Sequence, residues 1–175
     1  MNKTFSLKKF CILSLFTAIT AILSIYCTFR VGNAIKIPFK FISVFLTAAA
    51  LGPLYGGAVG ALGDILNVFL APSGAWLPPL TFVEFLYGFV FGCFFHNRNF
   101  SGKGYILRTV LCTAVLFLID MFISTYILKS AGYFPDFKTG FWLRLAAGLI
   151  KIFVQGIFIL ISSKYLKKFK SLTED

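Results

Sequence analysis

The chain has 175 residues, of which 58% are hydrophobic and only 13% charged, with a mean hydropathy of +0.87. So few polar side chains cannot cover a water-soluble globule, which excludes a soluble single-domain protein and leaves lipid to cover most of the surface. A formal net charge of +11 does not point to nucleic acid here, because the basic residues flank apolar stretches, where snorkelling and anionic headgroups account for them.

A hydrocarbon core of about 30 Å takes roughly 20 helical residues per crossing, so a chain of this length with short connections holds about six spans. The apolar runs predict an all-α integral membrane protein, a compact bundle of six transmembrane helices over residues 10–27, 39–51, 54–70, 79–95, 106–128 and 141–165, with residues 1–175 forming a single domain. The first run follows Lys3, Lys8 and Lys9 in the order of a signal peptide, but it continues to Cys27 without a convincing cleavage site and is read as a retained span. Gly52-Pro53 between the second and third runs predicts a tight turn at one membrane face. An even number of spans puts both termini on one side. That side collects Arg98, Lys103, Arg108 and the lysines of both tails, while Arg30, Lys36, Lys40, Lys129, Lys138 and Arg144 fall on the other. The excess predicts cytoplasmic termini. The outer side stays basic, which suits either interfacial anchoring or a funnel for an anionic solute.

Cys11, Cys27, Cys93 and Cys112 are scattered through apolar segments without CxxC spacing, so neither a disulfide framework nor a metal is expected. Small residues at 48–52 and 56–63 allow close approach of the second and third helices. Asp64 then follows near the middle of the third span, and Glu84 lies within the fourth. Ionisable groups at such depth are costly and normally face a cavity or a partner. Asp120 and Lys151, in the fifth and sixth spans, can simply pair with each other. The connection between the third and fourth spans, residues 70–80, is rich in Pro and Gly and carries Trp76. Broken backbone beside carboxylates is the pattern of a binding pocket, although Trp76 also suits an ordinary interfacial anchor.

Three segments together, Leu51-Gly-Pro-Leu-Tyr-Gly-Gly-Ala-Val-Gly-Ala-Leu-Gly-Asp-Ile-Leu, Pro72-Ser-Gly-Ala-Trp-Leu-Pro and Phe85-Leu-Tyr-Gly-Phe-Val-Phe-Gly, resemble the folate-specific S components of energy-coupling factor (ECF) vitamin transporters. The resemblance implies a six-helix subunit of a prokaryotic plasma membrane that captures a vitamin from outside with high affinity. It also implies partners, one transmembrane coupling protein and two ATPase subunits, and no enzymatic activity or cofactor of its own. Consistent with that, no GxxxxGK[ST] phosphate loop is present. Members of this family commonly present an Ala-xxx-Ala stripe on the first helix to the coupling subunit. The nearest match here is Ser14-xxx-Ala18 and Thr17-xxx-Ala21, so Ser14, Thr17, Ala18 and Ala21 are the expected docking residues. Where the family tends to read Pro-Gly-Phe-Thr, this chain has Pro78-Pro79-Leu80-Thr81 and adds Glu84, which either binds ligand or answers a cation such as Lys151.

A pterin headgroup asks for a buried carboxylate to accept from its amino and N–H donors, aromatic faces for stacking, and cations for the glutamate carboxylates. The expected site therefore has Asp64 or Glu84 on the donor edge, Trp76 with Tyr26 or Phe39 against the ring, and Arg30, Lys36 or Arg144 at the carboxylates. Thr81 joins it through the loop motif. Alternatives are an S component for a thiamine precursor, pantothenate or a queuosine precursor, a structural membrane scaffold, and, more remotely, an intramembrane enzyme using Asp64, Glu84 or Asp120. The last lacks an HExxH pair, His96 being the sole histidine.

Overall fold

Proline has no N–H to lose in the first turn of a helix, and two of the chain's helices begin on one, at Pro53 and at Pro78. The computed structural model describes residues 7–31, 35–71, 76–98, 102–133 and 135–174. In chain order these form α1 (Leu7–Tyr26), a two-stranded antiparallel hairpin of β1 (Thr28–Val31) and β2 (Ile35–Pro38), α2 (Phe41–Leu51), α3 (Pro53–Leu70), α4 (Pro78–Phe95), α5 (Lys103–Leu118), a π-helical turn (Ile119–Ser124), α6 (Thr125–Ser130) and α7 (Phe137–Glu174). Each apolar run carries a helix, and α7 extends beyond the run at 141–165 at both ends. The hairpin, which pairs Arg30 with Lys36, and the π turn are additions that the hydrophobic pattern does not announce.

Among the described residues, Lys9–Tyr26, Pro53–Leu70, Pro78–Phe95 and Lys103–Ser130 are long and apolar enough to cross a membrane. Phe137–Leu145 and Ala147–Ser162, which meet at 42°, add a fifth if they form one crossing. α2 has 11 residues, a length of about 16 Å at the usual helical rise, roughly half a hydrocarbon core.

The expected turn between α2 and α3 is present. Gly52 takes a φ of +110°, a conformation that disfavours side chains, and its N–H closes α2 on the Ala48 carbonyl at 3.0 Å. α3 then packs on α1, α2 and α4. Its contact with α4 is backbone on backbone: a Cβ on Gly88 would lie 2.1 Å from the Gly56 carbonyl oxygen, and one on Gly60 2.5 Å from the Glu84 carbonyl oxygen. The small residues thus bring the helix carrying Asp64 against the helix carrying Glu84. Below them the core is aromatic, with Phe45 edge-on to Phe91 and Phe95 at centroid distances of 5.4 and 5.2 Å. Many large apolar side chains, among them Leu15, Phe69, Val110 and Phe153, face outward, as a lipid-embedded surface requires.

Candidate functional site

An antiparallel pair of helices joined at Gly52 places residues equally distant from the turn at the same height. Lys40 and Asp64 both stand twelve positions from Gly52, about 18 Å along the helix axes. The Lys40 ammonium lies 3.3 Å from Asp64 Oδ1 and 2.9 Å from Glu84 Oε1. One buried cation therefore holds two carboxylates from neighbouring helices, and the trio carries one net negative charge. A lone carboxylate in this setting would be strongly disfavoured, and the lysine compensates both.

Asp64 is fixed from its other side. Thr81 donates its hydroxyl to Asp64 Oδ2 at 2.9 Å and accepts from Trp76 Nε1 at 3.1 Å. Thr81 lies in the first turn of α4, so the Pro78-Pro79 start sets the position of the residue that links loop to carboxylate. Beside this chain, Ala61, Trp76, Pro78, Thr81, Phe82 and Phe85 line an open, mostly apolar groove of about 460 Å³. The Trp76 ring is half exposed at its edge, and Phe82 and Phe85 stack at 6.2 Å. Aromatic surface and hydrogen-bonding carboxylates thus meet at one end of α3 and α4.

The other expected site residues are distributed around this centre. Phe39, partly buried, precedes Lys40 and stacks on Phe41 at 6.2 Å. Tyr26, at the end of α1, is strongly exposed. Arg30 and Lys36 face each other in the register of the hairpin that follows α1, while their side chains lie outside the described residues, as do residues 72–75 of the loop before Trp76.

Arg144 belongs to a second cluster. Asp120, on the π turn, accepts from Arg144 Nη2 at 2.9 Å and from Lys151 at 3.3 Å, and Arg144 Nη1 reaches the fully buried Thr125 hydroxyl at 3.3 Å. The Asp120–Lys151 pair is the one anticipated from the sequence, with Arg144 added, so this group carries one net positive charge. Glu84 answers Lys40 rather than Lys151. Between the clusters stands Tyr87, whose ring lies 4.8 Å from the Lys151 ammonium.

On α1 the two small-residue pairs divide. Thr17 and Ala21 are buried within the chain's own bundle, and the neighbouring Thr20 fits against Gly63 of α3. Ser14 and Ala18 face outward. His96, at the end of α4, places Nδ1 3.4 Å from the Ala49 carbonyl at the end of α2. Among the described residues no group of three or more His, Cys, Asp or Glu side chains could hold a metal ion.

Lys40 is the residue that sequence reading missed. Next to an apolar run it looks like an interfacial anchor. The signal that finds it is its equal spacing with Asp64 about Gly52, together with the need of two intramembrane carboxylates for a cation.

Comparison with known proteins agrees with this architecture. The family model for the S component of ECF-type riboflavin transporters matches residues 4–169. Two curated folate transporters named FolT are similar: one from Clostridium novyi (strain NT), 35% identical over 47% of this chain, and one from Streptococcus mutans serotype c, 29% identical over 70% of it. The chain spans 48% and 66% of the lengths of these two relatives. Among solved structures, a crystal structure of FolT bound with folic acid superimposes with a TM-score of 0.75 at 22% identity, covering 89% of this chain and 91% of that one. The S component of a bacterial ECF transporter superimposes with a TM-score of 0.71 at 19% identity over 93% and 96% of the two chains. With the family model matched over nearly its whole length, this chain belongs to the S components of ECF-type transporters.

Proposed function

We propose that the chain captures folate from outside the cell and delivers it, docked on a transmembrane coupling protein with two ATPase subunits, to the cytoplasm. The observation that carries this reading is the pair of carboxylates, Asp64 and Glu84, held beside an aromatic groove by Lys40 and by the Thr81–Trp76 bonds. A pterin presents adjacent amino and N–H donors on a flat ring, which suits a carboxylate next to aromatic faces. The folate transporters among the chain's relatives and the folic acid bound to the similar FolT structure support the same ligand. The basic hairpin residues Arg30 and Lys36 follow directly from α1 and are the cations we assign to the glutamate carboxylates. Phe39 and Tyr26 are assigned to the rim of the site, and Arg144 to the second cluster.

In this reading the bundle is a six-span protein in which α2 covers half a crossing, both termini face the cytoplasm and the Asp64–Glu84 site opens outward. The outward pair Ser14 and Ala18 forms the coupling face. ATP is hydrolysed by the partners, and this chain supplies binding alone.

The family model's description favours riboflavin as a second reading. The flavin ring offers one imide N–H and no amino group beside it, so two carboxylates match a pterin better. Binding of folate to the Asp64→Asn and Glu84→Gln variants tests the assignment. At least one of the two is expected to weaken folate at least tenfold, and unchanged affinity in both rejects the pocket.

A further inference from the structure

Tyr87 is 9% exposed, and its hydroxyl makes no hydrogen bond of good geometry to a described residue, although Asp120 lies nearby. It is the one such buried side-chain atom among the described residues. Native interiors rarely leave a buried hydroxyl without a partner, and such an atom calls for an explanation. Gln155, 4% exposed on α7, stands beside it. Lys151 carries three N–H donors and directs one contact to Asp120.

These three side chains share a wall. A void of about 20 Å³ is lined by Tyr87, Lys151 and Gln155 together with Lys40 and Glu84. A second void, about 10 Å³, is lined by the same three residues and by Asp120. The first has room for about one oxygen atom. Glu84 borders it with Oε1 on Lys40. An acceptor placed beside Glu84 would therefore meet an ammonium, an amide NH₂ and a phenolic O–H.

We propose that Tyr87, Lys151 and Gln155 form a donor subsite that reads the ring carbonyl of a lactam whose N–H engages Glu84. In the 4-oxo pterin lactam the carbonyl carbon is bonded to the same nitrogen whose N–H a carboxylate accepts, so binding that edge to Glu84 delivers the oxygen toward this void. A 4-amino analogue puts an NH₂ there instead, facing three donors with nothing to accept from. Sites built to hydrogen-bond one group reject analogues that lack it much more strongly than apolar pockets do. The subsite thus makes the transporter selective for 4-oxo over 4-amino pteridines. It rests on the folate reading and adds to it the feature of the ring that is recognised.

The test compares folate with its 4-amino analogue on the full-length chain in detergent, for wild type, Tyr87→Phe and Gln155→Met. Both substitutions keep the side-chain volume nearly unchanged, and a thermal melt of each variant reports its folding. Wild type is expected to prefer folate by about a hundredfold. Each variant is expected to lose about tenfold in folate affinity while binding the 4-amino analogue within about twofold of wild type, so that the preference shrinks. Folate binding with an unchanged preference in both variants, or an equal loss of both ligands, overturns the subsite and leaves the folate assignment standing. Failure of wild type to bind folate overturns both.

Discussion

Lys40→Met removes the one ammonium that serves both Asp64 and Glu84 and keeps the length of the side chain. The Lys40 side chain is 9% exposed and the two carboxylates 17% and 22%. Removing one partner from a buried ion pair costs about 3–5 kcal/mol, because the other charge stays behind uncompensated. The residual exposure of both carboxylates lets water reach them and places the expected loss near the lower limit, about 3 kcal/mol. At roughly 2–4 °C per kcal/mol for a chain of this size, the midpoint of thermal unfolding should fall by about 6–12 °C. Tryptophan fluorescence against temperature in one detergent measures it. Adding Glu84→Gln to Lys40→Met removes one of the two orphaned charges, and the double variant should recover part of the loss. A Lys40→Met midpoint within about 1 °C of wild type would show that the ammonium is not what holds the carboxylates together.

Gly88→Ala would put a Cβ 2.1 Å from the Gly56 carbonyl oxygen, so α3 and α4 must separate, with an expected cost of about 3 kcal/mol or more by thermal melt. Folate affinity should fall with it, since Asp64 and Glu84 lie on the two helices that part. Asp120→Asn leaves Arg144 and Lys151 without their carboxylate, and a destabilisation of about 3–5 kcal/mol is expected in the same melt; an unchanged midpoint would mean the two cations find other partners. Ser14→Leu should leave the melt and folate affinity unchanged and abolish co-purification with the coupling subunit. Thr17→Leu, at a position buried in the chain's own bundle, should instead lower the melting midpoint.

The helices were legible because long apolar runs mark their positions, though not their ends, and Gly52-Pro53 marked the turn. The β-hairpin was not, since four-residue strands carry too short an alternation to stand out from a polar connection. The π turn was hidden for a different reason: residues 119–124 read as ordinary helix, and nothing in the apolar pattern marks the extra residue per turn. Asp64 and Glu84 stood out from the sequence because charge inside a span is costly. Lys40 did not, because at the edge of a span a lysine costs little and has an ordinary explanation. The phase of α1 was likewise open, as a helix apolar all round does not say which of its small-residue pairs faces inward. Packing of Thr20 against Gly63 decides it, turning Thr17 and Ala21 inside and Ser14 and Ala18 out.

The measurement that tests the central claim most directly is isothermal titration of the purified, detergent-solubilised chain, without any partner subunit, with folate and separately with riboflavin. A saturable one-to-one heat with folate and none with riboflavin at the same concentration is the predicted result. A folded chain that gives no saturable heat with folate, or that binds riboflavin more tightly, would contradict the account.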